Sequence, residues 1–197
     1  MSDKYKINES SDFTKEDLKK REYDPNSKIN DYIELAKEDI KEGEYSSALI
    51  NLSYAKTLAK KLYEEIPNEI EVIMNNVYKH MFEETLREIN EKIEERDYME
   101  AYKLVDFLEI YESKIGNEDC IHAKELRKDI EDKILETRVE ELEKILKLKG
   151  NSFSHIPSLG VYTLLFNLIE NDVKKSDNKE IKKRFAKVKK IFEGIFL

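Results

Sequence analysis

Apolar side chains recur along this chain at intervals of three and four, the spacing of a helix with one buried face. Ile29, Tyr32, Ile33, Ala36 and Ile40 predict a first helix over about 28–42. Ala48, Leu49, Leu52, Ala55, Leu58, Ala59 and Leu62 predict a second, reached through a turn at Gly43 and Glu44. Ile70, Ile73, Val77, Met81, Leu86, Ile89 and Ile93 carry a third, which Pro67 is placed to open, since a first helical turn needs no donor there. A turn at Arg96 and Asp97 leads to a fourth over about 98–114, ended by Gly116 and Asn117.

The fifth helix spans about 118–149, with Ile130, Ile134, Val139, Leu142 and Leu146 read as one stripe. At ~1.5 Å per residue it measures about 45–50 Å. Residues 150–157 read as a loop. Two helices follow, 158–173, nearly apolar all round, and 177–197. No segment alternates as a strand does. The expected fold is all-α, with six or seven helices, mostly in antiparallel hairpins. Residues 1–26 are polar and lack an apolar period, so they are expected to be mobile, with room for a short helix at 13–21. Residues 27–149 then form a helical hairpin region, and 150–197 a C-terminal helical pair packed on the same domain.

One short pattern occurs twice. Ile40, Glu42, Glu44, Tyr45 and Ala48 find counterparts in Ile93, Glu95, Asp97, Tyr98 and Ala101, 53 residues later. The residues Tyr32, Leu35, Ala36, Gly43, Glu44, Tyr45, Ala48, Leu52 and Ala55 resemble a tetratricopeptide (TPR) repeat in order and spacing. The second copy keeps Tyr98, Ala101 and Val105, but has Thr85 at the early aromatic position and Arg96 at the glycine. Its spacing exceeds the roughly 34 residues of a standard repeat. The resemblance covers about 28–65 well and 82–112 weakly. It implies packed hairpins and, as in that family, a groove for a protein or peptide. The MIT and HEPN domains use a similar turn.

Composition narrows the function. The longest apolar stretch, 159–169, is about half a bilayer span and is interrupted by Gly160, Thr163 and Asn167. The first residues lack the apolar core of a signal peptide. With a single cysteine, Cys120, no internal disulfide can form. These features point to the cytoplasm. Lys and Glu enrichment resembles the balance of thermophile proteins, and an AT-rich genome gives the same bias.

Catalytic chemistry finds little support. His80 precedes Glu83 and Glu84, and His122 lies between Glu118 and Glu125. A dimetal helical bundle needs Glu-x-x-His on two helices, the reverse order, with further Glu from two others. Cys120 and His122 have no partner pair for structural zinc. None of His80, His122 and His155 follows an arginine by the four to six residues that the ribonuclease branch of HEPN requires. Gly-rich phosphate loops and Gly-x-Ser-x-Gly elbows are absent. The chain is therefore read as a non-enzyme without cofactor or metal.

Charge is uneven. The chain carries −8 overall, yet residues 172–197 carry +5. Ile181, Phe185, Val188, Phe192 and Ile195 form one face of the last helix, and Lys182, Lys183, Arg184, Lys187, Lys189 and Lys190 the rest. Their anionic neighbour is either the chain's own acidic body, with the apolar face closing the core, or an external one: nucleic acid, an acidic partner or, least favoured, an anionic membrane surface. The leading expectation is a helical-repeat scaffold that binds a protein or peptide between hairpins, with Asn30, Glu34, Asn75 and Lys79 as groove residues. It allows a homodimer through the long helix. The second is a nucleic-acid accessory protein using the C-terminal cations, and the third a helical-bundle enzyme or metal protein.

Overall fold

A computed structural model describes residues 25–63, 65–117, 119–149 and 159–196. Among them are seven helices and no strand: α1 Pro25–Glu42, α2 Tyr45–Tyr63, α3 Asn68–Glu94, α4 Tyr98–Lys114, α5 Ile121–Lys149, α6 Leu159–Lys175 and α7 Lys179–Phe196. The all-α class expected from periodicity is therefore the fold. The N-terminal segment with its short helix at 13–21, the loop at 150–157 and His155 lie outside the described residues.

The recurring pattern builds the same helix reversal each time. After α1, Gly43 donates to the Ile40 carbonyl at 3.2 Å and Glu44 to that of Asp39 at 2.8 Å. This pair of bonds closes a helix end when the residue after the cap turns left-handed, and Gly43 has φ +81°. After α3, Arg96 donates to Ile93 at 3.1 Å and Asp97 to Lys92 at 2.9 Å, with Arg96 at φ +61°. After α4, Gly116 and Asn117 repeat the two bonds, to Ser113 and Glu112, with Gly116 at φ +92°. Arg96 thus takes the glycine's conformation.

The acid that closes one helix opens the next. The Glu44 carbonyl receives Ala48 N–H and the Asp97 carbonyl Ala101 N–H, both at 3.0 Å. Asp97 adds a side-chain cap, accepting from Glu100 N–H at 3.3 Å. Ala48 and Ala101 are fully buried, and Tyr45 and Tyr98 half-buried beside them.

The chain divides into two compact units, Met1–Val77 and Tyr78–Leu197, which meet inside α3. In the first, Ile29, Ile33 and Ala36 of α1 pack with Ala48, Leu52, Ala55 and Ala59 of α2 and Ile70 of α3. Four alanines let the backbones approach closely. Tyr32 and Tyr54 stack beside them at 5.5 Å, and Asn51 donates to Asp39 at 2.8 Å. Leu35 and Leu62, read as part of the repeat and of the second stripe, are instead 47% and 42% exposed.

The second unit holds two cores along α5. Ala123 and Ile130 of α5 pack with Ala101, Val105 and Leu108 of α4 and Ile89 of α3. Bulky Phe82, Leu86, Ile93, Tyr98 and Tyr102 surround them, so the second hairpin is wider than the first, and α4 pairs more closely with α5 than with α3. Beyond residue 134, Leu135, Val139, Leu142 and Leu146 pack with Phe166, Ile169 and Val173 of α6 and Ile181, Phe185, Val188 and Phe192 of α7. Phe166 stacks on Phe192 at 4.1 Å.

The single stripe expected on the long helix is therefore two. At about 100° per residue, the buried face turns by roughly 120° near residues 134–135 because the two cores lie on different sides. Both faces are used within the chain. Helix α6, expected to be apolar all round, buries one side only and leaves Val161, Leu164 and Leu168 exposed.

The two turns carry opposite expectations. Gly43→Ala adds a Cβ that meets no atom within 4 Å, so only the left-handed backbone is penalised, and stability falls by about 1 kcal/mol. Arg96→Gly removes that penalty, less the greater unfolded-state freedom of glycine, and raises stability by about 0.5–1 kcal/mol. Urea unfolding of the two variants measures both signs.

Candidate functional sites

The α4–α5 corner is built on a buried carboxylate. Ala101, Val105, Leu108 and Glu112 occupy the inward face of α4, and Glu112 is 0% exposed. Its Oε1 accepts from Asn117 Nδ2 at 2.6 Å and from His122 N–H at 3.2 Å, and lies 2.8 Å from His122 Nδ1. Its Oε2 accepts from Ala123 N–H at 3.0 Å. Cys120, just before α5, has no side chain suited to capping, so Glu112 of the preceding helix satisfies the donors a local cap would take. Its negative charge also sits at the positive end of the α5 dipole.

Burial alone would raise the Glu112 pKa. The Ala123 backbone N–H, the His122 ring and the His122 backbone N–H outweigh it and hold the carboxyl below its ordinary value. The Cys120 thiol is pushed up, first by burial and then by Glu112 and Glu109. It lies 3.5 Å from the Glu109 and Asn117 carbonyl oxygens. A protonated, buried thiol is the opposite of what a nucleophile needs.

His122 takes another partner than the spacing suggested, whereas His80 keeps one of its two. His122 pairs with Glu112 and meets the Phe82 ring edge-on at 6.2 Å. Glu118 lies outside the described residues. His80 lies 3.3 Å from Glu84 on the surface of α3. Among the described residues no three His, Cys, Asp or Glu side chains converge as metal ligands.

A groove of about 630 Å³ runs along α5 in the second unit, between α4 and the α6–α7 corner. Met99, Ile134 and Leu135 give it apolar surface, with Met99 56% exposed. Arg127 lies 5.3 Å from the centroid of the Tyr102 ring and bonds Asp106 and Glu109, each at 2.9 Å. Its contact with Tyr102, and then these two acids, outweigh burial and raise its pKa further. Tyr102 donates to Glu131 at 3.1 Å. On the other wall Arg138 reaches Asp172 at 3.4 Å and Lys128 reaches Asp177 at 3.3 Å. Asp132 accepts from Ser176 and Asn178, and Asn178 caps α7 by accepting from Glu180 and Ile181 N–H.

The groove residues proposed from sequence lie elsewhere. Asn30 and Glu34 are exposed on α1, and Glu34 pairs with Lys37, which also reaches Glu69. Asn75 is half-buried on α3, with Oδ1 enclosed and unpartnered, and Lys79 is exposed further along that helix. None of the four lines the groove along α5. On α7, Arg184 pairs with Glu140 and Glu143 of α5, and Lys189 with Glu170 of α6 at 2.8 Å. Lys182, Lys183, Lys187 and Lys190 are exposed.

Sequence reasoning missed Glu112 and the Tyr102–Arg127 pair. Glu112 left a signal, because it continues the Ala101, Val105, Leu108 stripe at helical spacing. An acid on an apolar stripe marks a buried charge that needs donors. The groove left none, since its walls come from segments more than 40 residues apart.

No protein-family model, no curated protein and no solved structure matches the chain. None of the described helices is long and apolar enough to cross a membrane.

Because the folded pKa of Glu112 is depressed, its stabilisation is present above the unfolded carboxylate value, about 4.3, and is lost as pH falls through the lower folded value. Glu112→Gln is expected to be less stable by about 1–3 kcal/mol at neutral pH. That gap should narrow under acid. Urea unfolding of both proteins from neutral to acid pH measures it.

Proposed function

We propose that this protein is a non-enzymatic helical scaffold that binds a protein or peptide segment in the groove along α5. The observation that carries this reading is the groove itself: exposed and buried apolar side chains between walls that carry both signs of charge. Its volume falls in the range of sites that hold a compact ligand, roughly 300–1,000 Å³. An apolar residue of the partner seats on Met99 and Ile134, and flanking charged residues meet Arg127, Glu131 and Arg138. Further exposed apolar residues on α4, Phe107 and Ile110, support a protein-binding surface.

The TPR-like reading of the repeat belongs to this proposal. Small residues packed between α1 and α2, and the repeated turn before Tyr45 and Tyr98, support it. The wider second hairpin departs from a regular array. The lone cysteine, with no internal partner for a disulfide, supports a cytoplasmic setting. Since both apolar faces of α5 are used within the chain, a homodimer would draw on another surface, such as the exposed stripe of α6.

Display of random peptides against the full chain is expected to enrich sequences with one large apolar residue flanked by charges. Met99→Asp, at an exposed groove position, should weaken a selected peptide at least tenfold, about 1.4 kcal/mol, with an unchanged thermal melt. Isothermal titration measures the loss. Absence of enrichment, or unaltered binding by the variant, would overturn the reading.

A further inference from the structure

Helix α7 carries seven cations, and the tertiary structure sorts them into two sets. Arg184 and Lys189 flank the buried face and are neutralised by Glu140, Glu143 and Glu170. Lys179, Lys183, Lys187 and Lys190 are exposed on the opposite side, and no hydrogen bond or ion pair to any of them is found among the described residues. At about 100° and 1.5 Å per residue they fall within an arc of roughly 80° and along about 16 Å of helix. Lys182 lies beside this row. Glu180 and Glu193 are the acids of α7, and Glu193 contributes its charge to Lys189.

Like charges at this spacing repel one another. The surrounding protein is acidic, yet Glu140 and Glu143 are committed to Arg184 and Glu170 to Lys189. A row of positive charge on a packed helix is left facing outward.

We propose that this row binds the phosphate backbone of a nucleic-acid duplex, without regard to sequence. The chemistry of the face selects that partner. A membrane-binding helix must bury its apolar side in lipid, but Ile181, Phe185, Val188 and Phe192 are already buried in the protein. Carboxylates of a protein partner are best recognised by the planar fork of arginine, and lysine is depleted from protein interfaces. The one arginine of α7 is already paired with Glu140 and Glu143 of α5. A single strand is held by stacking on aromatic rings, and Phe185 and Phe192 are inaccessible. A straight row of lysine point charges suits a regular line of phosphates, and phosphate contacts position a duplex without carrying sequence information. The acidic remainder of the chain repels the duplex and confines contact to α7. This site is separate from the groove along α5.

The test is fluorescence anisotropy of the full chain with a short random-sequence DNA duplex at several salt concentrations. Binding at low salt should fall with a log–log slope of about −4, four lysines releasing counterions at about 0.9 each. The quadruple variant K179Q/K183Q/K187Q/K190Q should bind at least tenfold more weakly and with a shallower slope. A control quadruple, K60Q/K61Q/K103Q/K114Q, should bind as the original does, as should Met99→Asp. Circular dichroism melts report whether each variant folds. If the original protein fails to bind at low salt, or both quadruple variants bind equally, the proposal is overturned. Equal affinity for polyglutamate, or binding to phosphatidylserine vesicles without binding to the duplex, overturns it as well.

Discussion

Every helix end in an all-helical chain leaves backbone groups without partners, and connections of two to six residues, at five of the six joins between the described helices, give few ways to supply them. This constraint governs the fold. At three C-termini a left-handed residue returns two N–H groups to the last carbonyls, at Gly43, Arg96 and Gly116. At N-termini the solutions differ. Asp97 caps α4 itself, Asn178 caps α7 while held by Asp132, and the start of α5 is served by Glu112 from the preceding helix. The last two tie a local requirement to tertiary structure. Asp132 links the α6–α7 corner to α5, and Glu112 fixes where α5 departs from α4.

The long helix then organises the second unit. Its first half closes one core against α3 and α4, and its second half another against α6 and α7. The change of buried face near residues 134–135 leaves a groove beside the crossover, walled on one side by α4 and on the other by the α6–α7 corner. Tyr102, Arg127 and Arg138 are polar residues that accompany this change of side. The groove is a consequence of packing two cores on one rod.

Much of the architecture was legible in the chain. Three-and-four spacing located the helices, and the pattern at Ile40–Ala48 and Ile93–Ala101 marked two reversals, because turn geometry depends on a few adjacent residues. Leu35 and Leu62 were misplaced for a different reason. Periodicity records which face is apolar, and it does not record how far a neighbouring helix extends to cover it. The candidate site was hardly legible. Asn30, Glu34, Asn75 and Lys79 are polar positions on α1 and α3, whereas the groove along α5 arises between segments distant in the chain.

The sequence by itself determined helix identity, the positions of the turns and the amphipathic character of α7, since these depend on backbone preference and on neighbours within a few residues. Tertiary structure alone decided which glutamates answered which cations. It paired Arg184 and Lys189 with glutamates of α5 and α6 and left Lys179, Lys183, Lys187 and Lys190 without such partners. It also turned Glu112, one of many acids, into the cap of another helix. The physical reason is common to both: an ion pair or a capping bond needs its atoms within about 3 Å, and only packing brings residues from separate helices that close.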